Sequence, residues 1–71
     1  PKIEFYLTES EYISLEVYNS AGKKIAELIN CKVNSGYHSV TFDGNGLSGG
    51  IYFYRLATER FTENRKMVLI R

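Results

Sequence analysis

The chain has 71 residues and a formal net charge of +1, with nine bases and eight acids interspersed along it. That mixture supplies neither the basic stripe that nucleic acid requires nor the polybasic cluster that an anionic membrane attracts, so neither is expected as a partner. A chain of this size buries only about 60% of its unfolded surface, which makes it one small domain near the lower limit of unaided folding.

Six strands can be placed in chain order, and a seventh is open to argument. Lys2-Ile3-Glu4-Phe5-Tyr6-Leu7 alternates, with Ile3, Phe5 and Leu7 on one face, the period-2 pattern of a half-buried strand. Thr8-Glu9-Ser10-Glu11 reads as a polar connection. Tyr12 to Tyr18 forms a second strand with Ile13, Leu15 and Val17 inward. Asn19-Ser20-Ala21-Gly22 is a hairpin turn, since Gly22 can supply the left-handed residue that short β-loops need.

Lys23 to Asn30 is ambiguous. Ile25, Leu28 and Ile29 have helical spacing, but so short a helix is unstable by itself. A strand with a bulge accounts for the same spacing, because an extra residue lets one face resume. Cys31 to Gly36 is expected as a polar loop or short irregular edge. Tyr37 to Phe42 is a strand with His38, Val40 and Phe42 on one face, and Asp43-Gly44-Asn45-Gly46 ends it with turn chemistry.

Gly49-Gly50 then breaks the chain, and Ile51-Tyr52-Phe53-Tyr54-Arg55-Leu56 follows at once. Tyr52, Tyr54 and Leu56 suit a core. The other face, Ile51, Phe53, Arg55 and Ala57, is apolar enough that a central strand touched on both sides is expected. Glu59 and Arg60 turn the chain, and Phe61 to Arg71 returns as a final strand. The fold class is therefore all-β, an antiparallel sandwich of six or seven short strands. Its expected core is Ile3, Phe5, Leu7, Ile13, Leu15, Val17, Ile25, Leu28, Val40, Phe42, Tyr52, Tyr54, Leu56, Met67 and Leu69.

The single cysteine, Cys31, excludes an internal disulfide and a zinc site built from cysteines. By composition alone the lack of disulfides argues for the cytosol. No apolar run has the length of a membrane span and no signal peptide is visible, so no membrane insertion is expected. A chain that opens on Pro1 rather than Met is expected to be a fragment of a longer protein.

Five pieces of the sequence form an ordered pattern over nearly the whole chain. They are the apolar strand Ile3-Glu4-Phe5-Tyr6-Leu7; the strand end and hairpin Val17-Tyr18-Asn19-Ser20-Ala21-Gly22-Lys23; the strand Gly36-Tyr37-His38-Ser39-Val40-Thr41-Phe42-Asp43; the stretch from Leu47 to Leu56; and the tail Lys66-Met67-Val68-Leu69-Ile70-Arg71. In this order they resemble the C-terminal sorting domain (type A) of the type IX secretion system of Gram-negative bacteria. A module of the flagellar hook-capping protein has the same immunoglobulin-like shape. An Asn-Pro segment often precedes the first strand in that family, and here only Pro1 could represent it.

The resemblance implies an immunoglobulin-like sandwich in which Gly22, Gly36, Asp43, Gly50 and Tyr52 belong to the family's structural motif. It implies that residues 1–71 are a single domain at the C-terminal end of a larger secreted protein, ending naturally at Arg71. The function implied is a non-catalytic sorting signal that carries an attached N-terminal cargo across the outer membrane. Secretion-system proteins and a sorting protease would be the partners, and Lys66, Met67, Val68, Leu69, Ile70 and Arg71 the region that the machinery reads. Localisation would be secreted or cell-surface, by way of the periplasm, which reverses the argument for the cytosol. The alternatives are an accessory structural or carbohydrate-binding module of a secreted hydrolase, and a piece of a flagellar hook scaffold.

The residues themselves specify no catalytic, cofactor-binding or metal site. His38 is alone and reads as a packed or rim histidine. Cys31 has no base or orienting partner near it in sequence. Asp43-Gly44-Asn45-Gly46 looks like the opening of a calcium loop, but no later carboxylate completes it, and a turn is the expected reading. Tyr6, Tyr12, Tyr18 and Tyr37 fall on outward faces, where they serve as cross-strand partners or as a contact patch. Two open sheet edges leave an edge-paired or strand-exchanged dimer as an alternative state.

Overall fold

The computed structural model describes residues 1–70. Its six strands are β1 (Lys2–Leu7), β2 (Glu11–Asn19), β3 (Lys24–Val33), β4 (Gly36–Thr41), β5 (Gly50–Ala57) and β6 (Thr62–Leu69). They form two antiparallel sheets, β1-β4 and β3-β2-β5-β6. The sheets pack together as an immunoglobulin-like sandwich, and the alternation of each strand decides what enters the space between them. Ile3 and Leu7 of β1, Ile13, Leu15 and Val17 of β2, Phe42 just after β4, Tyr52 and Leu56 of β5, and Met67 of β6 are buried there. The other expected core residues, Phe5, Ile25, Leu28, Val40, Tyr54 and Leu69, are half-buried against this cluster.

The ambiguous third segment is a strand with two bulges. The β2–β3 register passes from Leu15↔Ile29 to Glu16↔Glu27, and from Val17↔Ala26 to Tyr18↔Lys24. Leu28 and Ile25 are thus extra residues, and each one resets which face turns inward. Helix-like spacing is what two such resets leave in the sequence. The same strand corrects the expected loop at Cys31 to Gly36. Cys31 pairs with Ile13 and Val33 with Glu11, so β3 runs on to Val33 and only Asn34 and Ser35 connect it to β4.

The Asn19–Gly22 turn closes β2 onto β3. Asn19 Oδ1 accepts hydrogen bonds from the backbone N–H groups of Ala21 and Lys23, both at 3.0 Å. Between β4 and β5 the chain crosses from one sheet to the other. Asp43 Oδ1 accepts from the Asn45 N–H at 3.0 Å, and the Leu47 N–H donates to Gly44 O at 3.1 Å. Tyr52 anchors the start of β5 by donating its hydroxyl to Ser48 O at 2.7 Å.

Glu11 departs from its expected place in a polar connection. It opens β2 and is only 3% exposed. A buried carboxylate is stable only with partners, and Glu11 has them. Its oxygens accept from Arg60 Nη2 and from the Glu59 N–H, each at 3.2 Å, and Arg60 also donates to Thr8 Oγ1 at 3.0 Å. The β5–β6 turn is thereby tied to the link between β1 and β2.

Candidate recognition surface

β6 lies at an open edge of the four-stranded sheet, paired with β5 alone. Strand alternation divides its tail in two. Met67 is 9% exposed and belongs to the core, and Leu69 is half-buried against it. Leu69 also fills the space where Gly44 lacks a side chain: a Cβ there would stand 2.6 Å from Leu69 Cδ1. Lys66, Val68 and Ile70 face out, Val68 58% and Ile70 86% exposed. Of the six residues expected to be read by the machinery, two are therefore structural anchors and three are displayed. Arg71 lies outside the described residues.

The outward face continues across β5 and β2. Ile51 stands opposite Val68, Phe53 opposite both Lys66 and Tyr18, and Arg55 opposite both Asn64 and Glu16. Both edges of β5 are paired, as expected of a central strand. Its outer face is not covered, which corrects the expectation of contact on both sides: Ile51 is 46% and Phe53 39% exposed. Only two strands make up the opposite sheet, and they close over the inner face alone.

A polar cluster borders this apolar strip. Tyr18 donates its hydroxyl to Glu16 Oε1 at 2.7 Å, and Lys24 Nζ donates to Glu16 Oε2 at 3.0 Å. Those two bonds, the tyrosine's first, hold the Glu16 carboxyl below the ordinary glutamate range. The same bonds raise the Tyr18 phenol and the Lys24 ammonium above their ordinary values. Arg55 lies over the Tyr18 ring at 5.1 Å and donates from Nε to Asn64 Oδ1 at 3.3 Å. Tyr18, Asn19, Ser20, Gly22, Phe53, Arg55 and Asn64 line an open hollow of ≈ 310 Å³ beside it.

Neither this hollow nor the Arg55–Tyr18 contact was legible in the sequence. Both depend on β2 pairing with β5, two strands that are not consecutive in the chain. Local patterns carry no signal for such a partnership.

The remaining motif residues are structural in their placement. Gly22, Gly36 and Gly50 hold φ of 86°, 114° and 143°, Asp43 caps its turn, and Tyr52 is buried. His38 is half-buried, stacked on Phe5 at 5.3 Å, with Nε2 2.6 Å from Asn34 O. Cys31 is exposed with a free thiol. Tyr6 and Tyr37 meet edge to face at 5.0 Å on the outer side of the β1–β4 sheet, as cross-strand partners.

A small antiparallel sandwich of two sheets with its last strand at a sheet edge defines an immunoglobulin-like module. The chain belongs to the family of secretion system C-terminal sorting domains, whose model matches residues 2–70. No curated protein and no solved structure matches the chain. The family is that of type IX secretion signals, as the ordered motifs indicated. Membership implies interaction with the secretion machinery, attachment to an N-terminal cargo, and export to the surface or exterior of a Gram-negative bacterium.

Proposed function

We propose that this domain is a non-catalytic address, read as a folded surface through the outward residues of β6. One observation carries the reading: Met67 and Leu69 fix the strand in the core while Lys66, Val68 and Ile70 are presented to solvent from the same eight-residue strand and its end. Charge at Lys66 and apolar surface at Val68 and Ile70 give a partner both a steering group and a desolvated contact. Residues 1–71 are then the terminal domain of a larger secreted protein whose cargo passes through the periplasm. A sorting protease of the machinery removes the domain, so the bond-breaking step belongs to the partner.

The test is secretion of a periplasm-targeted fluorescent protein carrying this domain, in a bacterium with a working type IX system. Deleting the tail is a poor comparison, because it removes Met67 and with it part of the core. Lys66→Glu and Val68→Asp leave the core intact. The expected result is surface or medium fluorescence for the unaltered fusion, and retention in the periplasm for the double variant with its melting temperature unchanged. Equal secretion of both fusions would overturn the reading of β6.

A further inference from the structure

Arg55 and Lys66 are cations on the sheet's outer face that form no ion pair among the described residues, whereas Lys24, Arg60 and Arg65 each reach a carboxylate within 3.2 Å. Glu16 stands opposite Arg55 and feels its charge, but its hydrogen bonds go to Tyr18 and Lys24 and it forms no ion pair with Arg55.

Arg55 is nonetheless held in place. Tyr18 lies beneath its guanidinium, Nε bonds Asn64, and Nη1 reaches the Tyr18 hydroxyl at 3.5 Å. Nη2 has no acceptor among the described residues. A fixed guanidinium with free N–H groups is matched to a carboxylate, which can engage it through two parallel hydrogen bonds. Beside it the hollow has Phe53 for an apolar wall, and Ile51 and Val68 extend the apolar surface along the sheet.

We propose that this face binds an acidic segment of a partner protein. An Asp or Glu of that segment sits against Arg55, and an adjacent apolar side chain enters the hollow against Phe53. A second acid reaches Lys66, which stands directly opposite Phe53 in the register. The inference rests on the reading of this face as the recognition surface and adds the chemistry of what it recognises. Besides these two cations the face carries Lys24 and Lys32, and Glu16 and Glu27 are set among them, so the positive charge is diluted and lacks the density that an anionic membrane or a nucleic acid needs.

A random 12-mer phage-displayed peptide library, selected against the immobilised domain, tests the site directly. Selected peptides are expected to carry Asp or Glu beside an apolar or aromatic residue. Their affinity is expected to fall about tenfold or more in Arg55→Gln and in Phe53→Ala, by an intermediate amount in Arg55→Lys, and with rising salt. Peptides without acids, or peptides that bind folded Arg55→Gln and Arg55→Lys as tightly as the parent, would overturn the proposal. So would Arg55-dependent sedimentation with phosphatidylglycerol vesicles when no acidic peptide is recovered. Secretion that survives Lys66→Glu and Val68→Asp, while acidic peptides still require Arg55, would keep the site and remove the address reading. Secretion lost in that double variant, with no acidic peptide selected, would do the reverse.

Discussion

Gly50 shows how much one residue can decide. It starts β5 with φ of 143°, and nothing lies within 4 Å of where a Cβ would be. A Cβ would therefore meet no neighbour, and the strain that every substitution brings lies in the backbone. For a β-branched residue that strain is greatest, and Gly50→Val is expected to lower stability by about 1–3 kcal/mol. Thermal unfolding of the variant measures it, and an unchanged midpoint would show that the strand start tolerates another conformation.

Glu16 gives a prediction of a different kind. Its folded pKa lies below the unfolded value, so its contribution is present above the ordinary glutamate pKa and is lost as pH falls through the folded one. Tyr18 and Lys24 are raised, so theirs is present below their ordinary values and fades as pH rises through the folded ones. Glu16→Gln should thus cost stability most in the middle of the pH range, where all three contributions are present, and least at its ends. Urea midpoints followed from acid to alkaline pH should differ from the parent most near neutrality and converge below pH ~4. A constant difference across the range would rule the cluster out as the cause.

The elements were legible wherever a single strand's alternation sufficed. β1, β2, β4 and the inner face of β5 can be read from Ile3, Leu7, Ile13, Leu15, Val17, Val40, Phe42, Tyr52 and Leu56, each two residues from the next in its own strand or four where a half-buried residue intervenes. β3 was harder because its bulges at Ile25 and Leu28 erase the period. The outer face of β5 misled for another reason: Ile51 and Phe53 have the hydropathy of covered residues, yet no strand among the described residues lies over them. Glu11 was hidden because its partners, Arg60 and the Glu59 N–H, are nearly fifty residues away.

Neighbouring residues of β6 have opposite duties. Met67→Glu buries a charge without a partner and should lower the unfolding midpoint sharply, by several kcal/mol in stability. Val68→Glu, one residue on, should change it by less than about 0.5 kcal/mol. Chemical denaturation of the two variants side by side checks the register, and similar losses in both would mean that β6 is not seated as described.

At the scale of the molecule, the two sheet margins differ. β3 is bulged twice, which bends and twists it away from a neighbour, while β6 runs in unbroken register along β5 from Thr62 to Leu69. The margin left regular is the one that carries the displayed tail. The apolar residues left uncovered on the outer face, Ile51, Phe53 and Val68, lie next to that margin and not beside the bulged one. Small size makes this possible: two strands can cover only one side of four.

The strand order β3-β2-β5-β6 also bears on time. A ribosome delivers β2 and β3 early in the domain, but the second neighbour of β2 arrives only with residues 50–57, and Tyr52, Leu56 and Met67 of the core arrive after most of the domain has been made. A polypeptide that stops short of Met67 has no finished sheet on which to show Lys66 and Val68. Acceptance by a partner that reads the folded face would then certify that every strand of this domain had been made, and cargo abandoned before that point would carry no valid stamp.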